Sequence, residues 1–176
     1  ITAESASGVV LDGLQKGFTR EHVQNAARVV QRHKIPCLWI FMLGGPCETK
    51  DTVQETLHFA EQFIRPKDVV FFNIGIRIYP GTALEQRARK EGVLALPPSE
   101  MLEPVFYLSP GIDLDWLIST IRKVLSTHLN YIDSNTLGLS FLPALNRLGY
   151  RAGVRSPLWR YTRFIRRGLR LFGMDV

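Results

Sequence analysis

The feature that most constrains this chain is an ordered alternation: a short apolar run gives way to a stretch of helical period, and the cycle repeats down the first ninety residues. The strand signal at Pro36 to Leu43 is short, apolar and bounded by Pro36 and by Gly44-Gly45-Pro46. A second runs from Val69 to Ile78, rich in the β-branched and aromatic residues that suit a pleated, half-buried surface. A strand also ends near Ser7, where the polar run Thr2 to Ser7 begins the chain. Between these lie helices. Ser7 to Lys16 reads as a short one, and Thr19 caps another whose Val23, Ala26, Ala27 and Val30 recur at i, i+3, i+4 and i+7. A helix from about Thr49 buries Val53, Leu57, Ala60 and Ile64 and stops at Pro66. After the turn Tyr79-Pro80-Gly81, Thr82 and Glu85 form a capping box for a helix that Gly92 closes. Strands separated by helices pair in parallel through right-handed crossovers, as in an α/β sheet or closed barrel.

Beyond residue 96 the alternation weakens. Pro104 to Leu108 is a last strand or an edge segment, and Asp113 caps a helix with Leu114, Leu117, Ile118, Ile121 and Leu125 on one face. A polar loop near Ser134-Asn135, a short helix near Leu142 to Leu148 and a basic tail follow. The division expected is 1–95 for the α/β body, 96–150 for an extension and 151–176 for the tail.

Charge separates the tail from the rest. Residues 1–150 balance 15 Lys and Arg against 15 Asp and Glu, whereas residues 151–176 hold seven Arg and one Asp, so the tail supplies the whole net charge of +6. From Pro157, Leu158, Tyr161, Ile165, Leu169 and Phe172 fall on one helical face and Arg160, Arg163, Arg167 and Arg170 on another. That pattern suits either an interfacial helix on an anionic membrane or acidic partner, or a helix packed on the body with its arginines in water. A neutral body without a reader motif argues against nucleic acid as a partner.

No apolar run approaches the roughly 20 residues of a membrane span, and no secretion signal is evident. The two cysteines, Cys37 and Cys47, suit reduced thiols, so a cytoplasmic location is expected, with peripheral contact at the inner membrane face the alternative the tail allows. They cannot supply a four-cysteine cluster site, and the four histidines lack zinc-ligand spacing. A start at Ile1 points to further chain upstream.

Two places can carry chemistry. In the strand Val69 to Ile78, alternation places Phe72, Ile74, Ile76 and Ile78 on one face and Asn73, Gly75 and Arg77 on the other, a polar face with room at Gly75 for a ligand. Arg77 at the strand mouth reads equally as half of a structural ion pair. The loop Gly44 to Thr49 joins a strand end to a helix start, where α/β proteins place ligands and where glycine permits close backbone approach. A tight turn using glycine for geometry alone fits the same residues. Neither the dinucleotide nor the P-loop spacing is present.

Three ordered stretches resemble the radical S-adenosylmethionine (radical SAM) superfamily. Glu4-Ser5-Ala6-Ser7 with Leu11 and Lys16-Gly17 resembles its fourth barrel strand, Phe41 to Thr49 its fifth-strand motif, and Ile76 to Thr82 with Leu84 its sixth strand and Y-P-G-T turn. The segment from Leu102-Glu103-Pro104 to Ser109-Pro110 is similar to that of members with an N-terminal cobalamin (B12)-binding domain. The resemblance implies the C-terminal half of a partial (β/α)6 TIM-like barrel, strands four to six, followed by a mainly helical extension. It implies a parent enzyme that cleaves S-adenosylmethionine at a [4Fe-4S] cluster, whose ligands lie in a missing N-terminal half, to start radical chemistry on an unidentified substrate. Cobalamin would be held by a domain outside this chain. It further places Glu4 and Ser5 at the ribose or amino-acid portion of the cofactor, Leu43, Gly44 and Gly45 near adenine, and Arg77 and Tyr79 at the mouth of the sixth strand. No residue of this chain is assigned to catalysis or to metal. Two departures stand out: Ile40 and Cys47 occupy positions where the family pattern has glycine. The competing reading is a non-catalytic α/β half-barrel kept as a scaffold or binding module.

Overall fold

The computed structural model describes residues 1–97, 101, 103–134, 142–154 and 157–173. Strand β1 (Thr2–Glu4) leads into helices α1 (Gly8–Gly13) and α2 (Arg20–Arg32), then β2 (Leu38–Leu43), α3 (Lys50–Phe63), β3 (Val69–Ile74), β4 (Ile76–Arg77) and α4 (Ala83–Lys90). There follow β5 (Phe106–Tyr107), α5 (Leu114–Thr127), β6 (Tyr131–Asp133), α6 (Leu142–Arg151), a 3-10 turn (Leu158–Tyr161) and α7 (Thr162–Leu171).

The main sheet has the order β1-β2-β3-β6 and every pairing in it is parallel. Its core lies on one face. Trp39, Phe41 and Leu43 of β2, Val70 and Phe72 of β3 and Tyr131 of β6 share one buried cluster with Val23 and Ala27 of α2, Val53, Leu57 and Phe59 of α3, and Leu117 and Ile121 of α5. Phe41 stacks on Phe72 with ring centroids 5.9 Å apart and meets Phe59 edge-on at 6.2 Å, while Tyr131 closes edge-on to Phe72 at 5.6 Å. Such pairs are worth about 0.5–1.5 kcal/mol each beyond the area they bury. The alternate positions Leu38, Ile40, Met42, Phe71 and Asn73 are only half-buried and lie outside that cluster. Val69 and Ile132 on that second face are buried, so the sheet is packed by α2, α3 and α5 on one face and is more open, not bare, on the other.

Several details differ from the sequence reading. The strand expected over Val69 to Ile78 breaks at Gly75, whose φ of 77° is left-handed. Its last residues form β4, which pairs antiparallel with β5 in a separate two-stranded sheet. The space expected at Gly75 is filled, since a Cβ there would meet the Phe106 Cβ at 3.2 Å and the Tyr107 carbonyl oxygen at 3.3 Å. A fourth parallel strand, β6, had no sequence signal; its three residues are too few to show alternation. It joins the sheet from well beyond residue 96. Leu114, expected on the buried face of α5, is exposed. At α4, Thr82 accepts from the Glu85 N–H, but the Glu85 carboxylate reaches back to the N–H of Gly81 at 2.6 Å rather than to Thr82. That contact, then Arg89, holds the Glu85 carboxyl below its ordinary range.

The tail also packs differently. Arg166 is buried and donates to the carbonyl oxygens of Leu125, His128 and Tyr131, and Arg170 adds a second donor to Leu125 at 2.9 Å. Leu125 and His128 lie at the C-terminal end of α5, where cationic donors are favoured, and Tyr131 opens β6. Arg170, expected to face water, is thus a docking group, and Phe172, expected on the packed stripe, is exposed. Ile165 and Leu169 do face the body and are half-buried. The expected loop at Asn135 lies outside the described residues, as does Leu102.

Candidate functional site at the carboxyl edge of the sheet

In parallel α/β sheets, ligands bind beyond the carboxyl ends of the strands. Here β1, β2 and β3 each run out into a residue of left-handed backbone: Glu4 at φ 62°, Gly44 at 90° and Gly75 at 77°. For the two glycines this costs little, whereas Glu4 carries a Cβ and stores strain on the order of 1 kcal/mol. Its carboxylate is held by Lys16 at the end of the α1 turn, 2.6 Å away.

The strand-to-helix loop after β2 is organised around a group the sequence reading did not single out. Glu48 is fully buried, and its Oε2 accepts the N–H of Gly44 at 2.5 Å and of Gly45 at 2.9 Å. Its other oxygen, Oε1, has no hydrogen-bond partner among the described residues. Burial pushes the Glu48 carboxyl up to about 7, against the opposing pull of the two backbone donors. The signal was present in the sequence as a carboxylate three and four residues after paired glycines at a helix start. The segment after β5 caps this loop: Ser109 N–H donates to the Gly44 carbonyl at 2.9 Å, and Ser109 Oγ donates to the Glu48 carbonyl at 2.9 Å. A Cβ on Gly44 would meet Leu108 Cδ1 at 2.4 Å, and one on Gly111 would meet the Glu48 carbonyl oxygen at 2.8 Å. Cys47 is exposed with φ 64°, the conformation a glycine would adopt, and the Arg87 guanidinium lies 3.4 Å from its Sγ.

The remaining expected residues divide into two sets. Ser5 is buried, sharing a hydrogen bond with Thr56 Oγ1 at 3.1 Å and accepting the Ser7 N–H at 3.0 Å. Leu43 points into the core, and its carbonyl accepts the Gly75 N–H at 2.7 Å. Ser5, Leu43 and the donors of Gly44 and Gly45 are thus engaged within the protein. Arg77 and Tyr79 are exposed and face each other, the guanidinium carbon 4.9 Å from the ring centroid. Asn73, on the open face, donates to the Gly75 carbonyl and accepts from Ser134 at the end of β6. Of the polar groups at or just beyond the strands' carboxyl ends, Glu4 is paired with Lys16 and Asn73 with Gly75 and Ser134, whereas Arg77 and Tyr79 are exposed; Ile40 and Met42 lie half-buried on the more open face of β2.

No cluster of three or more metal-ligating side chains occurs among the described residues. Cys37 is buried at the start of β2 and Cys47 is exposed beyond its end, so the two thiols cannot share a metal site. No helix among the described residues is long and apolar enough to cross a membrane.

No family model matches the chain. Over 91 residues it is 32% identical to an uncharacterized methyltransferase of Pyrococcus horikoshii, a match covering 52% of this chain and 19% of that protein. Its fold is similar to the radical S-adenosylmethionine methyltransferase TsrM from Kitasatospora setae, whose structure holds cobalamin and a [4Fe-4S] cluster. That likeness has a TM-score of 0.65 at 20% identity and covers 92% of this chain and 37% of the other. The chain therefore spans about a fifth and about two fifths of the lengths of these two proteins.

Proposed function

We propose that this chain is the C-terminal, cofactor-binding portion of a cobalamin-dependent radical SAM methyltransferase, with its sheet forming half of a (β/α) barrel. The observation that carries the reading is the parallel sheet itself: α2, α3 and α5 pack one face, the other is more open and mostly apolar, and Arg77 and Tyr79 stand exposed beyond the carboxyl end of β3. A barrel wall has this form, with helices outside and a filled lumen within. The likeness to TsrM and the shared sequence with the Pyrococcus methyltransferase support it.

The residues fit S-adenosylmethionine and do not fit an iron-sulfur cluster. Ile40 and Met42 offer apolar surface for a purine, Glu4 offers a carboxylate to an ammonium or to ribose hydroxyls, and Arg77 offers a guanidinium to a carboxylate. When bound, the cofactor supplies the transferable methyl group and the radical precursor. The protein contributes orientation and exclusion of water, which protects reactive intermediates. With two distant cysteines, this chain cannot ligate a cubane. The cluster and cobalamin ligands belong to the part of the enzyme outside this sequence.

Two measurements test the proposal. Iron analysis after anaerobic reconstitution is expected to find far fewer than four irons on this chain and about four on the complete protein, the cubane stoichiometry. Equilibrium dialysis of the complete protein against labelled S-adenosylmethionine is expected to show saturable binding. A full iron complement on this chain, or no saturable binding by the complete protein, contradicts the reading.

A further inference from the structure

We propose that α7 carries a second, separate surface that docks on an anionic lipid bilayer, through the face opposite the one that packs on the body. The packed face is set by Thr162 and Arg166, both buried, with Ile165 and Leu169 beside them. At 100° per residue, Phe164, Arg167 and Leu171 then fall on the other side of the helix, with exposed Arg163 on its flank. The structure leaves Phe164 65%, Leu171 82% and the following Phe172 84% exposed. Three large apolar side chains in one short segment exceed what a solvent-facing helix requires, and they sit among exposed arginines.

The charge of the region selects the occupant. Between Asp133 and Asp175 the sequence holds eight arginines and no acidic residue. The docking of α7 engages Arg166 and Arg170, and among the described residues Arg147, Arg151, Arg160, Arg163 and Arg167 are exposed. An anionic, deformable surface that accepts apolar side chains and guanidinium groups together matches this mixture, and interfacial helices read this way. An acidic protein groove would need a fixed complementary shape. Nucleic acid would use the arginines and an aromatic ring but not Leu171 or the exposed Leu148 of α6. The anchoring also has a mechanical logic: Arg166 and Arg170 hold α7 to the end of α5, so the outer face is presented by a fixed helix rather than by a loose tail. The arrangement differs from that expected of an isolated amphipathic helix: of its apolar stripe Ile165 and Leu169 turn inward, while Phe172 stays exposed.

The test is co-sedimentation of the full chain with vesicles of phosphatidylcholine alone and with phosphatidylcholine containing phosphatidylserine, across a salt series. Binding is expected only with the anionic lipid and is expected to fall steeply with salt. Each arginine near such a surface is worth about fivefold, so Arg163→Gln with Arg167→Gln should weaken binding about thirtyfold. Phe164→Ser with Leu171→Ser should weaken it as well, since no core contact is removed. Equal binding to both vesicle types, parental affinity in both double variants, or complete displacement from vesicles by single-stranded RNA at equal phosphate concentration would overturn the proposal. The lipid comparison on the unsubstituted chain stands whether or not either variant folds.

Discussion

The two edges of the parallel sheet differ in how their polar groups are engaged. At the amino edge, Asp68 is almost fully buried and every contact closes inward: Oδ1 accepts the Cys37 N–H at 3.2 Å, and Arg65 binds both oxygens, at 2.6 and 2.7 Å. The Asn130 amide ties the entry of β6 to the Asp68 carbonyl at 2.9 Å. At the carboxyl edge, three strands end in left-handed backbone, a buried carboxylate keeps one oxygen without a hydrogen-bond partner among the described residues, and Arg77 with Tyr79 faces solvent. The difference is not one of saturation, since Arg65 Nη1 at the amino edge is buried without a hydrogen-bond partner among the described residues, as Glu48 Oε1 is; what sets the carboxyl edge apart is its left-handed backbone and the solvent-facing Arg77 and Tyr79.

The comparison breaks most forcefully at the amino edge. Asp68→Ala strips Arg65 and the Cys37 N–H of their partner and should cost about 3–5 kcal/mol, read as a fall in the denaturant midpoint at constant slope. The next largest effect is at Glu48 and depends on pH. Its folded value near 7 lies above its ordinary 4.5, so the folded state binds the extra proton. Stability is then full below about pH 4.5 and declines as pH rises towards 7, by on the order of 2–3 kcal/mol. Glu48→Gln keeps an acceptor for Gly44 and Gly45 without the charge, so its stability curve should be flat across that window. A parental slope in the variant would assign the decline to another group.

Smaller effects sharpen the contrast. Gly44→Ala sets a Cβ against Leu108 in left-handed backbone and should cost about 1–3 kcal/mol in thermal unfolding. Cys47→Gly relieves a left-handed cysteine and should raise stability by up to about 1 kcal/mol, whereas Cys47→Val should lower it. The two replacements therefore shift the melting temperature in opposite directions if backbone strain dominates at this position.

Much of this division was legible in the sequence, for reasons that are local. The runs at Leu38–Leu43 and Val69–Ile74 are long enough to declare strands, and Thr49 and Asp113 cap α3 and α5 as their side chains suggest. What escaped depends on distant partners. Gly75 reads as space for a ligand until Phe106 and Tyr107 arrive from thirty residues on and fill it. Tyr131–Asp133 becomes a strand only because β3 offers it an edge. Arg170 looks like solvated charge, yet it and Arg166 both donate to the Leu125 carbonyl near the end of α5. At the candidate site, strand order points to the carboxyl edge, but Ser5 and the Gly44–Gly45 donors are consumed by Thr56, Ser7 and Glu48. Spacing along the chain could not show that.

The central claim is that the polar groups left outward at the carboxyl edge serve a ligand rather than the fold, and the direct measurement is S-adenosylmethionine binding by the complete protein carrying Glu4→Ala or Arg77→Ala, alongside its thermal unfolding. The Glu4 ion pair with Lys16 is partly exposed and worth at most about 1 kcal/mol, offset in part by the strain of its left-handed backbone. Both variants should therefore melt close to the parent and bind the cofactor at least about tenfold more weakly, the loss expected for one charge-assisted contact. Parental binding in both variants, or a loss of binding that merely follows a loss of folding, would contradict the account.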